Sequence, residues 1–222
     1  MERRHLLIAL VVIASISQVA WADFGGLAIA GRGGTLGLGG ELIVNFLPVV
    51  NGRFGVTYFP LSVGGEIGEV SYDFDLRVLT FPLTLDWYPF KNGFHLSGGL
   101  IFNQTEMDLD TGSTASVTFN GHEYSASEFG TIHGEANFQR LAPYVGIGWG
   151  NAFGREKRWG ILSDLGVAFL GRPRVSLSPT GQAALSDPDF MADLAQEQAD
   201  IEDDLSILRF YPVLSISLFY RF

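Results

Sequence analysis

The 222 residues hold 24 acids against 14 bases, a net charge of −10 that argues against nucleic acid or an anionic membrane surface as a partner. Cysteine is absent, which excludes a disulfide framework and thiolate metal sites. Apolar residues make up 47% of the chain, with 28 glycines and 13% aromatics, yet past the first 22 residues no apolar run approaches the ~20 residues of a transmembrane helix.

The chain opens like an export signal. Glu2, Arg3 and Arg4 form a charged start, residues 6–13 an apolar run too short to span a bilayer, and Ala20-Trp21-Ala22 a small-residue cleavage site. Cleavage is expected after Ala22, leaving 23–222 as one domain. Residues 24–31 read as a short Gly-rich strand, followed by a tight turn at Gly31-Arg32-Gly33-Gly34. In 35–46, Leu36, Leu38, Leu42, Val44 and Phe46 share one face while Gly37, Gly39, Glu41 and Asn45 share the other. Residues 53–61 set Phe54, Val56 and Tyr58 against Arg53, Gly55 and Thr57. Residues 76–87 set Leu79, Phe81, Leu83, Leu85 and Trp87 against Thr80, Thr84 and Asp86, with a bulge expected at Pro82. In 94–103, Phe94, Leu96, Leu100 and Phe102 oppose His95, Ser97, Gly99 and Asn103.

After a long polar segment, 106–137, the same alternation returns. Pieces 115–119 and 123–127 of that segment are expected to prolong strands beyond the bilayer. Residues 138–150 put Leu141, Val145, Ile147 and Trp149 on one face, and 159–177 read as one long strand with Ile161, Leu165, Val167 and Phe169 opposite Asp164 and Gly166. The last strand alternates Leu214, Ile216, Leu218, Tyr220 and Phe222 against Ser215, Ser217, Phe219 and Arg221. Eight alternating strands, short connections at 47–52, 88–93 and 151–158, and long ones at 62–73, 106–137 and 178–206 predict an all-β, eight-stranded antiparallel up-and-down transmembrane barrel. A secreted soluble sandwich or lipocalin-like barrel is the bland alternative; it would have to hide eight apolar faces. Trp87, Tyr88, Phe90, Trp149, Phe153 and Trp159 beside the short turns, and Tyr211, Phe219, Tyr220 and Phe222 near strand ends, fit interfacial girdles.

Several segments also carry a resemblance. Residues 85–99 (LDWYPFKNGFHLSGG), 142–151 (APYVGIGWGN), 164–177 (DLGVAFLGRPRVSL) and the Tyr-Arg-Phe ending resemble a family of proteobacterial outer-membrane β-barrel proteins with OmpA-like transmembrane architecture. The resemblance implies an outer-membrane location and no assigned reaction. Tyr220 and Phe222 resemble the terminal sorting signal read by the outer-membrane assembly machinery, which is an implied partner alongside the lipid bilayer and lipopolysaccharide. The chain is expected to end with the barrel, without an appended peptidoglycan-binding domain.

The inward faces gather Glu41, Arg53, Asp86, His95, Asp164 and Arg221. Eight strands enclose a space that side chains just fill, so these charges should pair into a polar plug. The same residues could instead gate a narrow pore for ions or very small solutes. His95 and Ser97 share a face, and with Asp86 or Glu41 they resemble the His-x-Ser arrangement of barrel enzymes that deacylate lipid A; the longer motif of that class is not evident. Residues 187–205 read as a helix, capped by Asp187-Pro188, with an apolar stripe of Phe190, Leu194, Ile201 and Leu205 over the barrel mouth. Its other face (Asp187, Asp189, Asp193, Glu197, Asp200, Glu202, Asp203 and Asp204) is expected to be solvated. Weak divalent-cation binding is the functional alternative there, although the spacing does not match an EF-hand. The pattern nominates no catalytic residue, no metal ligand set and no cofactor; a structural or surface role leads, a gated pore follows, and a lipid-modifying enzyme is a distant third.

Overall fold

The computed structural model describes residues 25–67, 70–111, 116–119, 122–125, 130–154, 158–181 and 186–222, and the expected signal segment 1–22 lies outside them. Eight strands close a barrel: β1 (Gly26–Gly34), β2 (Gly37–Leu47), β3 (Val50–Ile67), β4 (Val70–Trp87), β5 (Phe94–Thr111), then β9 (Leu141–Trp149), β10 (Trp159–Phe169) and β12 (Phe210–Arg221). Each pairs antiparallel with the next, and β12 returns to β1 through Ala28↔Arg221 to Gly34↔Ser215. Closure leaves no edge within the barrel, so lipid meets only paired backbone. Among the described residues no helix is long and apolar enough to cross a membrane; the strands do so.

The period-two pattern sorts side chains as the sequence requires. Phe54, Leu83, Leu85, Val145, Ile147, Ile161, Leu165, Leu214, Ile216 and Leu218 face outward and exposed, while Arg53, Thr84, Asp86, Asp164, Ser215 and Ser217 face inward and buried. Along β10 the apolar exterior runs from Trp159 to Phe169. Ten steps of about 3.3 Å, tilted by about 40°, give roughly 25 Å of height, the thickness of a lipid-facing band. Trp87, Phe90, Trp149, Trp159, Tyr220 and Phe222 ring the short-turn end as expected. Tyr88, Phe153 and Phe219 do not: Tyr88 and Phe219 are buried, and Phe153 packs on the inner cluster of Ala28, Ala30, Ile43, Ala152, Leu162 and Phe219.

Other boundaries differ from the sequence expectation. Gly31-Arg32-Gly33-Gly34 is strand, not turn; the turn is Thr35-Leu36, and Leu36 folds inward onto Ile101, Ala142, Tyr144, Ala168 and Val213. Glycines hide alternation, so a Gly-rich strand reads as a turn. No bulge forms at Pro82: the register with β5 is unbroken through Pro82↔Ile101, and on the β3 side the pairing resumes in step at Thr57↔Thr80. The irregularity sits instead at Asn45/Leu47 of β2.

At the long-loop end β3 and β4 run on as a hairpin almost to residues 68–69, through the segment expected to be a loop. β5 also continues, but exchanges partners. Its first half pairs with β9 and its second half with β8 (Ile132–Asn137), which pairs in turn with β11 (Arg174–Pro179). The expected strand 138–150 thus begins only at Leu141, after a break at 138–140 that separates it from β8, and the expected long strand 159–177 is interrupted at 170–173. Gly171, at φ +73, and Pro173 account for the second break, since both oppose a continuing ladder. Pieces 115–119 and 123–127 prolong no barrel strand; β6 (Ser116–Phe119) and β7 (His122–Ser125) pair with each other.

The predicted helix is present as α1 (Pro188–Asp204), continued by a 3₁₀ turn Leu205–Arg209. The Asp187 side chain accepts from the Asp189 and Phe190 amides, an N-cap reinforced by Pro at the first turn. Phe190 and Leu194 bury against Ile132, with Tyr124 and Leu177 packed alongside. Asp193 departs from the expected solvated face: it is buried and accepts from His122 Nδ1 (2.7 Å) and Tyr124 Oη (2.6 Å). Glu202 and Gln198 accept from the Val175 and Leu177 amides, which point away from β8. Pro179, the next residue in that alternation, has no amide proton. The helix thereby covers the outer edge of β11, an edge that would otherwise invite another strand.

Candidate functional site

The barrel interior is the candidate site, and Arg53 is its centre. β3 delivers Arg53 inward because Phe54, Val56 and Tyr58 take the lipid side. Its Nη1 donates to Asp164 Oδ2 (2.8 Å), and its Nη2 donates to Asp164 Oδ1 and Asp86 Oδ1 (both 2.9 Å). Arg53 Nε lies 2.7 Å from Asp86 Oδ2, and Glu41 Oε2 lies 3.9 Å from Nη1. Planar bidentate pairing of this kind is what a guanidinium, and not an ammonium, can supply. β10 and β4, on different sides of the lumen, are bridged by one side chain.

Glu41 finds its closer partner in Arg32, whose Nη1 donates to Oε2 at 3.1 Å. Arg32 belongs to the network although the sequence placed it in a turn; the available signal was its shared parity with Ala28 and Ala30. His95 Nε2 lies 2.9 Å from Asp164 Oδ1, and its ring rests against Tyr88 at 5.1 Å between centroids. Space for that pair comes from Gly148, across the ladder from His95: a Cβ there would overlap both His95 Nε2 and Asp164 Oδ1. Ser215 Oγ donates to Asp164 Oδ2 at 3.3 Å.

Five of the six proposed lumen charges, Glu41, Arg53, Asp86, His95 and Asp164, are therefore in one contact network, all buried. Arg221 is not among them. It keeps inward parity but lies below Phe219, half-buried at the short-turn end beside Lys91, Asn45 and Asn151. Beneath the network an asparagine relay was missed by the sequence reading: Asn45 Nδ2 donates to Asn51 Oδ1 (2.8 Å), and Asn51 Nδ2 to Asn151 Oδ1 (3.3 Å). Asn45 shares the inward face of its strand with Glu41, but Asn51 and Asn151 read as turn residues, and only closure of the barrel brings the three together.

The arrangement fits poorly with nucleophilic chemistry. Ser97 Oγ donates to Asp86 Oδ1 (2.8 Å) and accepts from Arg53 Nη2 (3.4 Å), while His95 engages Asp164 instead. Nucleophile and base are thus tied to different carboxylates, and both side chains are buried. Two apolar clusters flank the network, one around Phe219 and Leu162 at the short-turn end and one around Leu36 and Tyr144 at the other.

No protein-family model matches the chain, and no curated protein matches it significantly. Among solved structures it is similar to CarO of Acinetobacter baumannii, at 20% identity over 89% of this chain and 98% of that one, with a TM-score of 0.56. CarO2 of the same organism is similar at 22% identity over 90% and 99%, with a TM-score of 0.57. A major outer membrane protein from Thermus thermophilus overlaps at 16% identity over 89% and 98%, but its TM-score of 0.37 carries no argument. At these identities the likeness is one of fold. Fold and apolar exterior together make this an outer-membrane β-barrel.

Proposed function

We propose that this barrel is a structural or surface protein of the cell outer membrane whose lumen is sealed. The observation that carries the reading is Arg53, held at four short contacts by Asp86 and Asp164 between two apolar clusters. The short turns would face the periplasm, and β6, β7 and α1 the exterior. Ordered assembly through the terminal Tyr220 and Phe222 belongs to the same proposal. Catalysis is left out of it, because the buried Ser97 hydroxyl donates its proton to Asp86 and His95 is engaged by Asp164.

A second reading, a gated pore for ions or very small solutes, draws on Glu41. Its Oε1 is buried without a hydrogen-bond partner, as are Thr84 Oγ1 and Ser217 Oγ. Glu41 thus offers Arg53 an alternative partner from 3.9 Å away, and a swing between acids would rearrange the plug. Single-channel conductance of the refolded barrel in planar bilayers separates the readings. Silent membranes from wild type support the sealed lumen. Discrete openings whose size changes in Arg53→Ala or Glu41→Ala would overturn it in favour of the pore.

A further inference from the structure

We propose that the strand breaks at the long-loop end form a binding surface for a phosphorylated glycolipid of the outer leaflet. The inference rests on the membrane placement above but not on a sealed lumen. Three neighbouring strand lines are interrupted at one level: between β8 and β9, between β10 and β11, and between α1 and β12. Gln139 N donates to Leu170 O (3.2 Å) and Leu170 N to Arg209 O (3.0 Å), so the three interruptions lie side by side. Each carries arginine: Arg140, Arg172 with Arg174, and Arg209. A protein of net charge −10 has placed four of its 14 basic residues there.

Their height is set by the apolar band. Leu141, Phe169 and Phe210 are the outward apolar residues that end β9, β10 and β12 at this end, and Arg140, Arg172 and Arg209 each lie within three residues of them along the chain. The Arg209 guanidinium lies over the Phe210 ring at 5.1 Å, and Phe210 packs edge-on against Phe169. That cation therefore sits on the exterior wall at the boundary between hydrocarbon and headgroups. Arg140, Arg172 and Arg174 are exposed, and Arg174 points away from buried Val175.

None of the four has an acidic partner among the described residues. Arg209 Nε is buried with no hydrogen-bond partner among the described residues. Glu135, on the outward face one pleat above Asn137, accepts from Asn137 Nδ2 (2.6 Å). Guanidiniums without an acidic partner among the described residues, beside exposed Phe210 and Ile207, match an amphiphile with phosphates at its head and acyl chains below. The first turns of helix α1 lie above, against Ile132 at the far end of β8, and its last turn comes down to the belt, where Glu202 accepts from the Val175 amide.

The test uses the refolded full barrel in non-ionic detergent, with retained lipid counted and affinity read by lipid titration in native mass spectrometry. The probes are diphosphoryl lipid A, its dephosphorylated form, and phosphatidylglycerol. Diphosphoryl lipid A is expected to bind at least about tenfold more tightly than either other probe, with affinity falling as salt rises. Arg172→Gln with Arg174→Gln should lower that affinity about tenfold, while Arg158→Gln at the opposite end should not. Both arginines of the double variant are exposed, so heat-modifiable migration should remain normal. Equal binding of the dephosphorylated probe, equal binding of phosphatidylglycerol, or undiminished binding by the folded double variant would each overturn the proposal. Conductance is silent on this question, so the two proposals fail separately.

Discussion

Replacing Arg53 with alanine tests the reasoning about the lumen most directly. The guanidinium makes four contacts between 2.7 and 2.9 Å to Asp86 and Asp164, and it lies within 3.9 Å of Glu41. Arg53→Ala removes one cation and leaves Asp86 and Asp164 without the partner that offsets their desolvation. Breaking a buried pair from one side costs about 3–5 kcal/mol, a shift of roughly two to four orders of magnitude in the unfolding equilibrium. The assay is urea unfolding of the barrel refolded in detergent or thin bilayers, followed by tryptophan fluorescence. Combining Arg53→Ala with Asp86→Asn and Asp164→Asn should recover a large part of the loss, because neutral amides are cheaper to bury than orphaned carboxylates. A loss below about 1 kcal/mol for Arg53→Ala would refute the argument, since only a hydrated, screened network tolerates the change so cheaply. Strictly additive costs would refute it equally.

Further expectations follow from other contacts. Gly148→Ala should destabilise the barrel by about 1–3 kcal/mol, because the new methyl overlaps His95 and Asp164; unchanged unfolding would show that the His95 ring moves freely. His122 is held above its ordinary pKa by its hydrogen bond to Asp193 and by that carboxylate's charge, while the same carboxylate pushes the Tyr124 hydroxyl up to about 12. A raised folded-state value means the tie between β7 and α1 is fully present below about pH 6.5 and is lost as pH rises through the folded-state pKa of His122. Amide exchange of residues 122–125 should quicken over that rise, and Asp193→Asn should flatten the dependence. Glu202→Ala with Gln198→Ala should uncover the β11 edge, read as faster exchange at Val175 and Leu177 and as a greater tendency to self-associate.

The amino-acid order alone determines whatever a two-residue period encodes. Leu214 to Phe222 announces a lipid side and a lumen side by itself, and so do Phe54 to Tyr58 and Leu79 to Trp87. A strand's two faces are a local property, independent of its neighbours. Five of the six lumen charges followed from the same parity. Asp187-Pro188 likewise marked the helix start, because a cap uses only the residues beside it. Tertiary structure decided the rest. Arg32 joins Glu41 only because β1 continues through glycines that show no alternation. Leu36 and Phe219 turn inward into the apolar clusters at the two ends of the lumen, and Asp193 is buried, because of what lies across from them. β5 changes partners midway because interruptions at 138–140 and 170–173 fall at one level, which no single strand encodes. Periodicity tells a side chain which face it takes; closing the ring of strands decides which charges meet there, since residues as distant as Arg53 and Asp164 become neighbours only when β12 pairs with β1.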